Sequence, residues 1–118
     1  MSHEETLREM YARFNAREID PILAVFAPDV EWPRAWEGDH VRGHEAIRDY
    51  WTHQWGEISP RVDPVHFETL PDGRVQVRVA QTVRDKNDAI LFDGEVDHVY
   101  TFADGLVTRM DIGAAPEA

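Results

Sequence analysis

The sequence contains no cysteine, no long apolar run and few basic residues, 12 against 23 acidic ones. Without cysteine there is no disulfide framework and no thiol nucleophile, which fits a reducing compartment. No stretch approaches the roughly 20 apolar residues that a membrane helix needs. The N-terminus also lacks the basic start and apolar run of a signal peptide. We therefore expect a soluble, cytoplasmic protein.

The shortage of basic residues also excludes two classes of partner. A formal net charge of −11 repels phosphate backbones and anionic lipid headgroups, so neither nucleic acid nor a membrane is expected as a partner. There is no glycine-rich phosphate loop and no serine in a nucleophile elbow. His40 and His44 have i, i+4 spacing, but the metalloprotease pattern is absent. No metal and no cofactor is predicted.

The length of 118 residues allows one domain with a real core, but not two. We therefore expect a single domain over residues 1–118. Four tryptophans, three tyrosines and five phenylalanines are many for this size. Aromatic residues at this density either fill a core or line a pocket for a flat apolar ligand.

Three helices are predicted in the first half of the chain. The first begins with Ser2 and Glu5 at capping-box spacing. Its apolar residues recur with the period of a half-buried helix: Leu7, Met10, Tyr11 and Phe14. The second helix begins with Asp20 as its N-cap and is ended by Pro28. The third spans His44–Trp55.

Strands are predicted around and after the third helix. Val30–Trp36 is interpreted as a short edge strand, because Pro33 cannot donate to a ladder. Residues 37–43 are predicted to form a loop. The alternating segments Val62–Leu70 and Val75–Val83 follow as long strands.

The stretch Ile90–Ile112 predicts a hairpin with one apolar face. The apolar face of its first strand consists of Phe92, Val96, His98, Tyr100 and Phe102. On its second strand, alternation places Leu106, Thr108, Met110 and Ile112 opposite to Val107, Arg109 and Asp111. An apolar sheet face needs a covering layer, which the preceding helices can supply. The order of elements therefore predicts an α+β fold with the helices on one face of an antiparallel sheet.

His98 is the first candidate for chemistry, because it is an imidazole on this apolar face. Asp97 cannot be its partner, since adjacent strand residues project to opposite faces. The partner must come from across the sheet or from a helix. The alternative is a histidine that is hydrogen-bonded in the interior and takes part in no chemistry.

Three further residues are candidates. Arg34 has the parity of Trp32 and Trp36, so its guanidinium could bind a carboxylate or an enolate-like oxygen between two indoles. Alternatively, it is an edge-strand arginine whose head reaches water. Gln81, the polar residue on the Val75–Val83 face, could bond a ligand or a core backbone group. Tyr100 is a possible donor or a tyrosine at the cavity rim.

The order of these segments resembles the nuclear transport factor 2-like superfamily, which includes ketosteroid isomerases and SnoaL-like polyketide cyclases. The matching residues are Ile22–Trp32, Gly43–Trp51 and His98–Met110. The resemblance implies a cone-shaped, curved antiparallel or mixed sheet wrapped over three N-terminal helices and enclosing an apolar cavity. It also implies a homodimer through the outer sheet face, which would carry Arg78, Ala80, Thr82, Asp97, Val99 and Thr101.

The catalytic residues of ketosteroid isomerases are replaced by other residue types at most of the corresponding positions of this chain. The general-base aspartate of that family falls near Arg34, and its oxyanion-hole aspartic acid falls at His98. Its tyrosine on the third helix falls at Trp51, and its first-helix tyrosine falls near Met10 or Tyr11. Ketosteroid isomerisation by the aspartate mechanism is therefore not expected. A base placed as in the cyclases has only Asp111 as a candidate, and the parity of Asp111 points outward.

Two functions follow from these residues. In the first, the protein is an isomerase, cyclase, lyase or hydrolase acting on a small apolar substrate with a carbonyl or carboxylate, with His98, Arg34 and Tyr100 as catalytic residues. In the second, the cavity binds a ligand without reaction, or the chain is a dimeric interaction module. The residues expected to line the cavity are Met10, Phe14, Trp32, Trp36, Trp51, Trp55, Val79, Gln81, Val96, Met110 and Ile112.

Overall fold

The computed structural model describes residues 2–34 and 38–113. Within these ranges there are three helices: α1 (His3–Asn15), α2 (Ile19–Leu23) and α3 (His44–Glu57). The strands in the same ranges are β1 (Phe26–Arg34), β2 (Asp39–Arg42), β3 (Ile58–Thr69), β4 (Val75–Asp85), β5 (Ile90–Ala103) and β6 (Leu106–Gly113). None of the helices described is long and apolar enough to cross a membrane.

The capping box predicted for α1 is present. The Ser2 side chain accepts a hydrogen bond from the Glu5 amide, and the Glu5 carboxylate accepts one from the Ser2 amide. Together these bonds satisfy two amides that the first turn leaves free. The predicted apolar face of α1 is buried in the core.

The prediction for the second helix is wrong at both ends. Helix α2 has only five residues, and Glu18 rather than Asp20 occupies its N-cap position. Asp20 and Pro21 instead lie inside the first turn, where a proline needs no amide partner. The helix ends at Leu23, and Pro28 lies within β1.

The predictions for residues 30–43 are also corrected. Strand β1 is an interior strand, paired with β2 on one side and with β6 on the other. The predicted loop contains β2, which forms the edge of the sheet and carries His40 opposite Pro33. The proline did not mark the edge, since the pairing of β1 with β6 has an irregular register that leaves gaps in the ladder. Trp36 lies outside the described residues.

The strand order in the sheet is β2-β1-β6-β5-β4-β3. All neighbouring pairs are antiparallel except β1 and β6, which run parallel. Helices α1 and α3 pack on one face of the sheet, here called the inner face. The α+β prediction is thus confirmed, with a mixed sheet.

The predicted faces of β4 and β5 are confirmed by the register. Val77 is paired with His98, and Val75 with Tyr100, so these side chains share the inner face. On β6 the prediction fails near the turn. The register shifts between Thr101 and Phe102, which places Val107 opposite Phe102 with none of its surface exposed.

Candidate active site

His98 meets its partner on α1. The hydroxyl of Tyr11 lies 2.8 Å from Nδ1 of His98, and the hydroxyl of Tyr100 donates to that of Tyr11 at 2.7 Å. Strand β5 positions His98 and Tyr100 on the same face, two residues apart, while α1 places Tyr11 above them. The three side chains form a buried hydrogen-bonded chain.

The protons in this chain can be assigned by counting donors and acceptors. The Tyr11 oxygen accepts from Tyr100, so its own proton is satisfied only if it is donated to Nδ1 of His98. A neutral imidazole that accepts at Nδ1 carries its proton on Nε2. In the described residues no group hydrogen-bonds Nε2. His98 therefore presents an N–H donor to the cavities that it lines.

Burial keeps all three groups uncharged near neutral pH. Only 7% of His98 is exposed, and desolvation lowers its pKa from 6.5 to about 4, against the opposing effect of the Asp97 carboxylate. Burial also raises the pKa of Tyr11 and of Tyr100. Asp97 lies on the outer face, where its carboxylate accepts a 2.6 Å hydrogen bond from Arg78.

The larger cavity beside His98 has a volume of about 80 Å³. Its polar lining consists of Tyr50, Gln54, Gln81 and His98. Its apolar lining consists of Phe14, Trp32, Pro33, Trp51, Ile58, Pro60, Val62, Val83, Met110 and Ile112. No carboxylate in the described residues lines it. A site of this kind binds and orients a largely apolar molecule through a few polar contacts.

A smaller cavity of about 30 Å³ lies deeper, against α1. It shares Phe14, Trp32, Trp51, Val62 and His98 with the larger one. Its remaining lining residues are Met10, Tyr11 and Ile22. The imidazole therefore faces both spaces.

Aromatic rings fill much of the interior between these spaces. Trp51 is 1% exposed and meets Trp32 edge to face at a centroid distance of 5.4 Å. Phe14 meets Trp51 and Trp55 at 5.5 and 5.2 Å, also near-perpendicular. Such contacts hold each ring in place. Trp32 and Trp51 thus both line the cavity and limit its size.

The predicted site residues fall into two groups. Those that line one of the two cavities are Met10, Phe14, Trp32, Trp51, Gln81, His98, Met110 and Ile112. Those outside the linings are Trp55, Val79, Val96 and Tyr100. Val79 is fully buried core. Tyr100 donates its hydrogen bond to Tyr11, and its ring meets that of His98 edge to face at a centroid distance of 6.3 Å. Trp36 lies outside the described residues.

The structure does not bring Arg34 to His98. Its guanidinium makes a bidentate pair with Asp39 of β2, at 2.7 and 2.6 Å, and its side chain is 35% exposed. Arg34 is absent from the lining of both cavities. The hydrogen bond from Arg34 lowers the pKa of Asp39.

Three polar residues of the described site were not predicted: Tyr11, Tyr50 and Gln54. Tyr11 was predicted only as part of the apolar face of α1, and its hydroxyl gave no sign of a partner. The resemblance did provide a signal, because it placed a first-helix tyrosine near this position. Tyr50 and Gln54 lie one turn apart on α3 and share a 3.0 Å hydrogen bond. That i, i+4 spacing could have identified them as a pair.

Asp111, the alternative base, is held by other partners. Arg109 donates to its carboxylate at 3.0 Å and to Glu31 at 2.9 Å. His40 lies 3.3 Å from it. Asp111 lines neither cavity. In residues 2–34 and 38–113, no three His, Asp or Glu side chains are grouped to hold a metal ion.

Residues 7–110 match the family model of the SnoaL-like domain. The chain belongs to this family. An NTF2-like protein of unknown function from Burkholderia pseudomallei is 26% identical, with a TM-score of 0.82 over 96% of the SnoaL-like chain and 91% of the other. TerC, co-crystallised with polyporic acid, is 30% identical, with a TM-score of 0.80 over 92% of this chain and 87% of TerC.

A third structure shows the fold alone. It is a hypothetical protein with a ketosteroid isomerase-like fold from Catenulispora acidiphila, in complex with trimethylamine. It is 14% identical, with a TM-score of 0.81 over 97% of this SnoaL-like chain and 88% of that protein. No protein of curated function matches the chain significantly.

The buried imidazole predicts a pH dependence of stability. Because the pKa of His98 is lowered to about 4 on folding, the unfolded chain binds a proton more readily there. The corresponding stability is present above about pH 6.5 and is lost as the pH falls to about 4, on the order of 3 kcal/mol for such a shift. Urea unfolding of wild type and His98→Gln between pH 4 and 7 measures it.

Carboxyl groups also titrate at acidic pH and affect both proteins. The quantity to follow is therefore the difference in free energy of unfolding between wild type and His98→Gln at each pH. The stability advantage of wild type should shrink steadily from pH 6.5 to 4. His66→Gln, at an exposed position on β3, is the control and should track wild type. A difference that is constant over this range would contradict the buried neutral imidazole.

Proposed function

We propose that this SnoaL-like domain binds a small, largely apolar molecule bearing a carbonyl oxygen, and that Nε2–H of His98 donates a hydrogen bond to that oxygen. The observation that carries the proposal is the Tyr100–Tyr11–His98 chain. In this chain, Nδ1 accepts a hydrogen bond from Tyr11. The N–H of Nε2 is therefore left as a donor that faces a largely apolar cavity.

The Nε2–H of a neutral His98 is better suited to donate a hydrogen bond to a carbonyl oxygen than to act as a base that abstracts a proton. A neutral imidazole held in place polarises an oxygen without needing reorientation, and it acts strongly where water is excluded. Removing one such donor from an enzyme typically slows the reaction about 10²–10³-fold. The bound carbonyl would thereby be activated for enolisation or for attack by another group of the same molecule.

The described lining of the cavity offers no carboxylate and no arginine beside His98. None of the lining residues described is a carboxylate, and Arg34 is paired with Asp39. A reaction in this site would therefore rely on polarisation and positioning, with water or the substrate itself as base. The same observation favours a second candidate function, binding of the ligand without turnover.

Two further observations bear on the ligand. TerC, at 30% identity, was co-crystallised with polyporic acid, which supports a small molecule as the partner. The cavity of about 80 Å³ is smaller than the roughly 300–1,000 Å³ of most drug-sized sites. A ligand with a single ring, or a short chain, fits this volume best.

Acetophenone and α-methylstyrene test the proposal as a matched pair, because they differ only in C=O against C=CH₂. Wild type should bind acetophenone more tightly, since only the ketone accepts from Nε2–H. A buried donor left unpaired costs about 1–3 kcal/mol, which predicts a preference of roughly 5- to 150-fold. His98→Phe should abolish the preference. Tryptophan fluorescence titration gives both dissociation constants.

The control variant is His66→Phe on the outside of the sheet, which should keep the wild-type preference. Equal dissociation constants of the two probes for wild type would contradict the proposal. Hydrogen exchange of bound acetophenone in D₂O also distinguishes the two candidate functions. Exchange of the methyl protons that is faster than in buffer and depends on His98 indicates an enzyme; binding without faster exchange indicates sequestration.

We also propose a homodimer through the outer face of the sheet. Val99 and Asp97 expose little surface on this face, and the charge of Asp97 is paired with that of Arg78. Light scattering should give twice the 13.6 kDa mass of one chain. Ala80→Arg on this face should yield monomers, whereas Glu45→Arg on α3 should not. A monomeric wild type at 100 µM would rule the dimer out.

A further inference from the structure

Gln81 is an isolated polar residue on the inner face of β4. It lines the larger cavity and is half-buried. Between Val75 and Val83, the other inner-face residues of this strand are Val75, Val77, Val79 and Val83. Within the described residues the Gln81 amide makes no hydrogen bond to the protein.

The neighbours of Gln81 explain why its amide has no partner. Its register partners are Val62 on β3 and Gly94 on β5. Neither has a polar side chain. The space beside Gly94 is taken by the ring of Phe92, whose Cζ would lie 3.4 Å from a Cβ at that position. Neither register neighbour in the described part of the chain satisfies the amide, which is therefore available to water or to a ligand in the cavity.

Gln81 and His98 lie at different points along the cavity. His98 is paired with Val77, and Gln81 follows four residues later on β4. At about 3.3 Å per residue, the two backbone positions are roughly 13 Å apart. Side chains stand roughly perpendicular to a sheet, so we take the polar groups of the two residues to be separated by about the same distance as their backbones. A hydrogen bond of about 3 Å at each end then leaves roughly 7 Å between the polar atoms of a bridging ligand.

We propose that Gln81 is a specificity-determining residue that binds a second polar group of the ligand, at the end opposite the carbonyl. An amide offers both a donor and an acceptor, and a hydroxyl can use either. The class of ligand selected is a single-ring ketone or aldehyde with a hydroxyl in the para position, whose two oxygens have about this separation. This inference rests on the proposed function of His98.

A second probe pair tests Gln81 separately from His98. 4-Hydroxyacetophenone and acetophenone share the carbonyl and differ only in the hydroxyl. Wild type should bind the hydroxylated probe more tightly, by roughly 2- to 10-fold for one added hydrogen bond. Gln81→Leu should remove this preference, so that the variant binds the two probes with about equal affinity. Isothermal titration calorimetry measures all four constants.

Gln76→Leu is the matched control, because Gln76 lies on the same strand but on the outer face. It should keep the full preference. If acetophenone binding depends on His98 but Gln81→Leu leaves the hydroxyl preference intact, the role of Gln81 is overturned and that of His98 stands. If wild type binds neither probe, the proposed function fails and this inference fails with it.

Discussion

The burial of an uncharged imidazole under a tyrosine hydroxyl is the constraint on which the rest of the site depends. His98 can occupy an apolar face only because Tyr11 satisfies Nδ1 and because desolvation holds its pKa near 4. Tyr100 completes the arrangement by fixing the direction of the Tyr11 hydroxyl. The proton on Nε2 is a consequence of this packing. The same contacts that stabilise the fold therefore fix which ring nitrogen of His98 presents a donor to the cavity.

The aromatic interior sets the second limit on function. Trp51 lies at the centre, in contact with Trp32, Trp55 and Phe14. In the described part of the chain, these rings leave two small spaces that His98 lines. Under the proposed function, we expect this interior to select single-ring ligands over fused-ring molecules. A SnoaL-like fold alone would not have given this limit, since it depends on which side chains fill the interior.

The sequence predicted the inner faces of β4 and β5 correctly, because alternation alone decides which side chains share a face. It also excluded Asp97 as the partner of His98 on the same ground. The errors have local causes. A register shift reversed the side of Val107, and a strand, β2, was hidden in a polar segment whose partner, β1, contains a proline. Pairing of Arg34 with Asp39 and of Tyr11 with His98 depends on tertiary geometry, which spacing does not encode.

The most direct test of the account is the ¹⁵N NMR spectrum of the His98 ring, recorded through its carbon-bound protons in labelled protein. The account predicts a neutral ring at pH 6, with a protonated Nε2 and a bare Nδ1. Tyr11→Phe should remove the preference for a proton on Nε2, whereas Tyr50→Phe should leave that preference unchanged. A charged ring at pH 6, or a proton on Nδ1 in wild type, would contradict the central claim.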